Sequence, residues 1–332
     1  MKNQSSFVHP YIPNTAPSTR AAMLREIGVA DAGELFDGIP DHLRLQRPLN
    51  LPGPILAELD LRRHVEGLLK QNTSCAEVIS FLGGGCWQHD IPAVCDEVNS
   101  RAEFLTAYGG DTYADLGKYQ AVFEFQSLIG ELVGMEVVSA PVYDWASAMT
   151  SALMMAARIT DRRQVLLPRT IARERLWHLT NGGRTQVDPV LVDYDSGTGL
   201  MSLDDLRAKL SDQVAAIYIE NPSYLGFLEE RAAEIAALAH SVGALSVVGV
   251  DTSSLGVLAP PADYGADLVV GEAQPLGVHM HYSGGLCGFI ASRDEPEIVS
   301  EYPYLMVSIA PGRVEGEWGF GWSSMARTSY DK

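Results

Sequence analysis

Basic residues are scarce in this chain: 24 Lys and Arg stand against 42 Asp and Glu, a formal net charge of −18 over 332 residues. A surface of that sign repels phosphate backbones and anionic headgroups, which argues against nucleic acid and membrane surfaces as partners. No apolar run approaches the roughly 20 residues that a membrane-spanning helix needs. Residues 1–19 also lack the basic stretch and apolar core of a secretory leader, so the expected location is the cytoplasm. There are only four cysteines, Cys75, Cys86, Cys95 and Cys287, without the paired close spacing of a zinc site. A chain of this size needs no disulfides to hold its core, so they are expected to be buried thiols, and no metal site is expected.

A lysine is missing as well. Val-Val-Gly-Val leads into Asp251, and Leu-Val-Val-Gly271 is followed by Glu-Ala-Gln274. Two short β-branched runs, each closed by an acidic residue or Gly, read as adjacent buried strands of an α/β sheet. Ligands of such sheets sit outside the carboxyl ends of the strands, so Asp251 and the turn 271–277 are expected to face a pocket. In enzymes that use pyridoxal phosphate, an Asp at such a strand end pairs with the pyridine nitrogen, and a Lys one strand further on forms the Schiff base. Gln274 holds the second place here and cannot form an imine. An Asp ending a parallel strand is common in α/β proteins of every function, so Asp251 alone decides little.

The rest of the chain builds that sheet. After an irregular, Pro-rich start, Asn14 to Gly28 carries a helix signal with Ser18 or Thr19 as cap and Gly28 as stop. Leu56 to Leu69 and Val94 to Leu105 read as helices. Val122, Phe123, Phe125, Leu128, Ile129 and Leu132 recur at helical spacing before Gly134, which makes a core-facing helix. Asp144 is placed to cap an Ala/Met-rich helix reaching about Ile159, and the free amides of its first turn, around Ser147, could hold an anion such as a phosphate. An ordinary capped core helix is the competing reading of the same residues.

Strands over 165–167, 186–193, 215–219 and 245–250 then alternate with helices of about 10–15 residues, the pattern of a mostly parallel sheet covered on both faces. Right-handed crossovers put every strand-end loop on one rim, which collects Asn221-Pro222-Ser223, Asp251, Gln274 and Ser283-Gly284-Gly285.

Several stretches together resemble a known family. Ser80-Phe-Leu-Gly-Gly-Gly85, His89-Asp-Ile-Pro-Ala-Val94, Arg101-Ala-Glu-Phe-Leu-Thr-Ala-Tyr108, Phe123-Glu-Phe-Gln-Ser127, Tyr143-Asp144, Asn221-Pro222 through Leu225-Gly226, Leu255-Gly-Val-Leu-Ala-Pro260 and Tyr264-Gly-Ala-Asp267 are similar in order and spacing to subunit 1 of glycine dehydrogenase (decarboxylating). That subunit is the N-terminal half of the glycine cleavage system P-protein.

The resemblance implies the pyridoxal-phosphate-dependent transferase fold, an aspartate aminotransferase-like large α/β domain. It implies an N-terminal arm over 1–55, a large domain over 56–332, and a smaller C-terminal domain that these 332 residues do not include. It further implies a heterotetramer in which a lysine-bearing second subunit binds pyridoxal phosphate covalently and a lipoyl carrier (H) protein receives the aminomethyl group. This chain would then have no catalytic residue of its own. Asp144, Ser147, Asn221, Asp251 and Gln274 would form a degenerate cofactor pocket, and Phe81, Gly83, Gly84, Gly85 and Tyr108 would serve the interface or shared site. Two other readings stay open: a divergent paralogue whose lysine-bearing partner runs another pyridoxal-phosphate reaction, such as a C–N lyase, and a non-catalytic stabilising subunit. Departures from the family pattern lie at Gly109-Gly-Asp-Thr-Tyr-Ala-Asp-Leu-Gly117, around Trp145, where the family usually has a small residue, and after Arg313.

Overall fold

A computed structural model describes residues 8, 11–45, 47–81, 86–105, 116–281, 284–303 and 306–323. The chain forms two compact units, Met1–Thr73 and Ser74–Lys332. In the first, helix α1 (Pro17–Ile27) starts at a proline, whose fixed φ suits a first helical position and whose missing N–H is one that would go unpaired anyway. The cap is therefore Ala16 and not Ser18 or Thr19. Gly28 ends the helix at φ +86°, donating its N–H back to the Leu24 and Arg25 carbonyls. Helix α2 (Glu58–Leu69) follows, and no described residue of this unit is buried.

The second unit carries the core. Helices α3 (Ala93–Asn99) and α4 (Ala102–Leu105) replace the single helix expected over 94–105, the break falling at Ser100–Arg101. Helix α5 (Leu116–Val133) buries Ile129 and Val133 but leaves Leu128 exposed. Strand β1 (Val137–Val138) leads to helix α6 (Trp145–Thr160). Then β2 (Gln164–Pro168), α7 (Arg173–Gly182), β3 (Asp188–Val192), α8 (Leu203–Lys209), β4 (Val214–Glu220), α9 (Ala232–Ser241) and β5 (Leu245–Asp251) alternate. The chain goes on through β6 (Leu268–Glu272), β7 (Gly288–Ser292) and the short helix α10 (Pro296–Val299) to a separate hairpin, β8 (Met306–Pro311) with β9 (Trp318–Ser323).

The seven-stranded sheet has the order β1-β7-β6-β5-β4-β2-β3. Strands β6, β5, β4, β2 and β3 are parallel, while β7 runs antiparallel to β6 and to β1. Side chains alternate between the faces, as a pleated backbone requires. Val165, Leu167, Tyr218, Val247, Leu268 and Val270 join the cluster around α6, and Leu166, Ile217, Ile219, Val248, Val250 and Val269 join the opposite one. Both faces are thus covered, which is why these strands read as unbroken apolar runs. Helix α6 lies at the centre of its layer, with Ala148, Met149, Ala152, Leu153, Met155 and Ala156 completely buried.

Candidate functional site: the strand-end rim

Three parallel strands stop at acidic residues: β4 at Glu220, β5 at Asp251 and β6 at Glu272. The two-residue period puts all three on the α6 side of the sheet, the side of Tyr218, Val247 and Val270. The register sets Asp251 directly beside Glu272. Asp144 caps α6 from the same rim, accepting the Ser147 N–H at 2.7 Å. Asn221 follows β4, its N–H bonded to the Gly249 carbonyl at 2.9 Å and its Oδ1 accepting the Glu229 N–H at 3.2 Å. Strand topology therefore sets Asn221, Asp251 and Gln274 at strand ends, Asp144 at the cap of α6 and Ser147 in its first turn.

Their chemistry is largely engaged already. Asp251 Oδ1 accepts both the N–H and the hydroxyl of Ser253, at 2.9 and 2.8 Å, closing its own turn. Gln274 has no exposed surface, and its Nε2 donates to the Val278 carbonyl at 2.7 Å and stands 3.5 Å from His89 Nδ1. Among the described residues, Gln274 Oε1 and His89 Nε2 are buried polar atoms without a hydrogen-bond partner. In the turn expected to face a pocket, residues 271–274 are buried and Leu276 is exposed. Phe81 is 93% exposed, whereas Gly83, Gly84, Gly85 and Tyr108 lie outside the described residues.

The centre of the rim is held by residues that sequence reasoning passed over. Glu272 is fully buried and accepts three backbone N–H groups from separate segments: Cys287 at 2.7 Å and Gln274 at 3.1 Å on Oε1, and Trp145 at 3.1 Å on Oε2. Burial pushes its carboxyl up to about 7 despite those three donors. Next to it, Trp145 Nε1 donates to the Tyr218 hydroxyl at 3.0 Å, and that hydroxyl donates to Glu220 Oε1 at 3.0 Å. Arg175 pairs with Glu220 at 3.0 Å, and its guanidinium carbon stands 4.0 Å from the Trp145 ring centroid. Burial raises the Glu220 carboxyl, and Arg175 is the chief opposing influence.

Gly249, on the same face and two residues before Asp251, has the Trp145 ring 2.8 Å from where a Cβ would stand. A Glu closing the apolar run 268–271 was the visible signal for Glu272. Nothing in the sequence pairs Arg175 with Glu220.

A cleft of about 780 Å³ lies away from this rim, lined by Gln126, Met135, Val138, Val299, Met306 and Val307 among others. It includes none of the expected site residues. Among the described residues no group of three or more His, Cys, Asp or Glu is placed to hold a metal ion, and no helix is long and apolar enough to cross a membrane.

A mostly parallel sheet whose one antiparallel strand, β7, starts from a polar strand-end rim beside β6 defines the large domain of the pyridoxal-phosphate-dependent fold class. A solved glycine decarboxylase (P-protein) of the glycine cleavage system, in inhibitor-bound form, superposes with a TM-score of 0.81 at 34% identity, covering 93% of this chain and 68% of that one. A sphingosine-1-phosphate lyase from Burkholderia pseudomallei shares the fold alone, with a TM-score of 0.57 at 12% identity over 85% of this chain and 69% of that one.

Residues 9–317 match the family model described as glycine cleavage system P-protein, and the chain belongs to that family. Relatives named glycine dehydrogenase (decarboxylating) subunit 1 include one from Staphylothermus marinus, 36% identical over 94% of this chain and 68% of its own length. Another, from Chlorobium chlorochromatii, is 39% identical over 94% of this chain and 69% of its own length.

Proposed function

We propose that this chain is subunit 1 of a glycine dehydrogenase (decarboxylating), the lysine-lacking half of a P-protein that releases carbon dioxide from glycine. The observation that carries the lysine-lacking assignment is Gln274: it stands just past the end of β6, one strand beyond Asp251, fully buried and with no amine to offer. Pyridoxal phosphate, which the fold class implies, supplies an electron sink for loss of the carboxylate when bound.

The residues of this rim do not fit that cofactor, because Asp251 is turned onto Ser253 and the leading amide of α6 is held by Glu272. The proposal therefore gives the cofactor to a lysine-bearing second subunit and the aminomethyl group to a lipoyl carrier (H) protein.

In that assembly this chain provides folding surface and loops against the partner. Exposed apolar side chains along its rim support the reading: Tyr143 precedes the α6 cap, Val257 follows the turn after β5, and Leu276 sits in the turn after β6, with 81%, 91% and 52% of their surface open. Apolar groups gathered beside a strand-end rim are what a partner would cover. Phe81 and the glycines 83–85 are assigned to the same interface, where absent side chains allow close backbone approach.

The test is co-expression with the candidate second subunit, followed by exchange of the glycine carboxyl carbon with labelled bicarbonate in the presence of lipoylated carrier. Exchange that requires both chains is expected. A stable complex without exchange would redirect the assignment to another substrate.

A further inference from the structure

The missing lysine is one of three obstacles on this rim. The second is electrostatic. Of the leading amides of α6, Trp145 N–H is held by Glu272 Oε2 at 3.1 Å and Ser147 N–H by Asp144 Oδ1 at 2.7 Å. Two of the leading amides of the helix end that could receive a phosphate are thus already held by carboxyl groups, whose oxygens occupy the place of an anion's. Glu272 is anchored there by two more donors, Gln274 N–H and Cys287 N–H, drawn from the turn after β6 and the start of β7.

The third obstacle is steric. The Trp145 indole lies on the α6 face of the sheet against Gly249, two residues below Asp251. It is 4% exposed, bonded to Tyr218 and covered by the Arg175 guanidinium. The space under the strand-end carboxylate already holds an aromatic ring. Interiors packed to this density do not admit a second one without removal of the first.

We propose that Glu272 and Trp145 close this rim from within, Glu272 standing in for an anionic ligand and Trp145 for an aromatic one, so that restoring a lysine at position 274 does not by itself restore cofactor binding. The rim is a site sealed by its own side chains, and its seal is held by named contacts. This inference concerns the chain alone and goes beyond its assignment to glycine chemistry, since it holds whatever substrate the assembly uses.

The experiment compares the full-length wild type, Gln274→Lys, and Gln274→Lys combined with Glu272→Ala and Trp145→Gly. Each is incubated with pyridoxal phosphate, reduced with borohydride and mapped by peptide mass, with circular dichroism reporting the fold. The expected result is background labelling at position 274 in the single variant, and labelling stronger by about tenfold or more in the triple variant, the factor that about 1.4 kcal/mol of released competition and clash supplies. Full labelling of the single variant would overturn the proposal, as would a folded triple variant labelled no better than the single one.

A second arm keeps the proposal decidable should the triple variant not fold. Glu272→Ala alone leaves three buried amides without an acceptor, so inorganic phosphate is expected to raise its thermal midpoint while leaving the wild type unchanged. An equal response of the two proteins to phosphate would count against Glu272 as the internal anion.

Discussion

Arg175 and Glu220 form an ion pair 3.0 Å apart whose side chains are only 7% and 1% exposed, Arg175 coming from α7 and Glu220 from the end of β4. Desolvating two charges costs more than their attraction returns unless other groups share the charge. Here the Trp145 ring lies over the guanidinium and the Tyr218 hydroxyl serves the carboxylate.

Removing one member of this pair strands the other. Arg175→Met is therefore expected to destabilise the protein by about 3–5 kcal/mol. Arg175→Met with Glu220→Gln should lose distinctly less. Urea unfolding of the two variants checks this, and equal losses would contradict the pairing.

Gly249 marks where the rim tolerates no added atom. A Cβ there would meet the Trp145 ring at 2.8 Å as well as the Tyr218 hydroxyl, and both side chains are fixed by their mutual hydrogen bond. Gly249→Ala is expected to lower stability by about 1–3 kcal/mol through overpacking. In a double-mutant cycle Trp145→Gly should offset only the indole's share of the Gly249→Ala loss, because the Tyr218 hydroxyl still meets the added Cβ, and thermal midpoints of the four proteins would read it.

Glu272 links stability to pH. Its carboxyl moves from the usual 4.5 to about 7 in the fold, chiefly through burial, with Asp144 adding like-charge repulsion and Cys287 lying alongside. The folded state therefore holds a proton that the unfolded chain releases earlier. This contribution is complete below about pH 4.5 and is lost as pH rises through about 7, amounting to about 3 kcal/mol for a shift of that size. Denaturation across that window should show the decline in the wild type, and Glu272→Gln should flatten it.

The purified wild-type chain mixed with pyridoxal phosphate should show no internal-aldimine absorbance. Gln274 carries no amine, so borohydride should fix the cofactor at no single lysine. Labelling concentrated at one lysine would contradict the assignment of the cofactor to a partner.

Much of the fold can be read from the sequence because β2, β4, β5 and β6 are covered on both faces, which forces continuous runs such as Leu268-Val-Val270. The cap at Asp144 is equally local and was visible for the same reason. The antiparallel edge was not. β1 has two residues and β7 contains Gly288, so neither offers a pattern long enough to read. The closing contacts of the rim were also hidden, since Glu272 meets an amide 127 positions earlier and Arg175 meets a carboxylate on another element. Local rules report where a strand ends. They do not report which distant amide the last side chain will find.

Strand β7 runs against its neighbour β6, so the chain leaves the sheet at Glu272 and re-enters it at Gly288 on the same edge. The two ends of this excursion are tied together: Ala273 N–H donates to the Cys287 carbonyl at 2.8 Å, and Cys287 N–H donates to Glu272 Oε1 at 2.7 Å. A loop pinned at a single doorway can change length or composition between those ties without disturbing strand register, because loop closure adds little for extra residues. Between those ties the described residues 275–281 are held in their own right, the Val278 carbonyl accepting Gln274 Nε2 at 2.7 Å and the Met280 carbonyl the Cys86 thiol at 3.3 Å, so variation is confined to exposed positions such as Leu276 while the sheet beneath stays fixed.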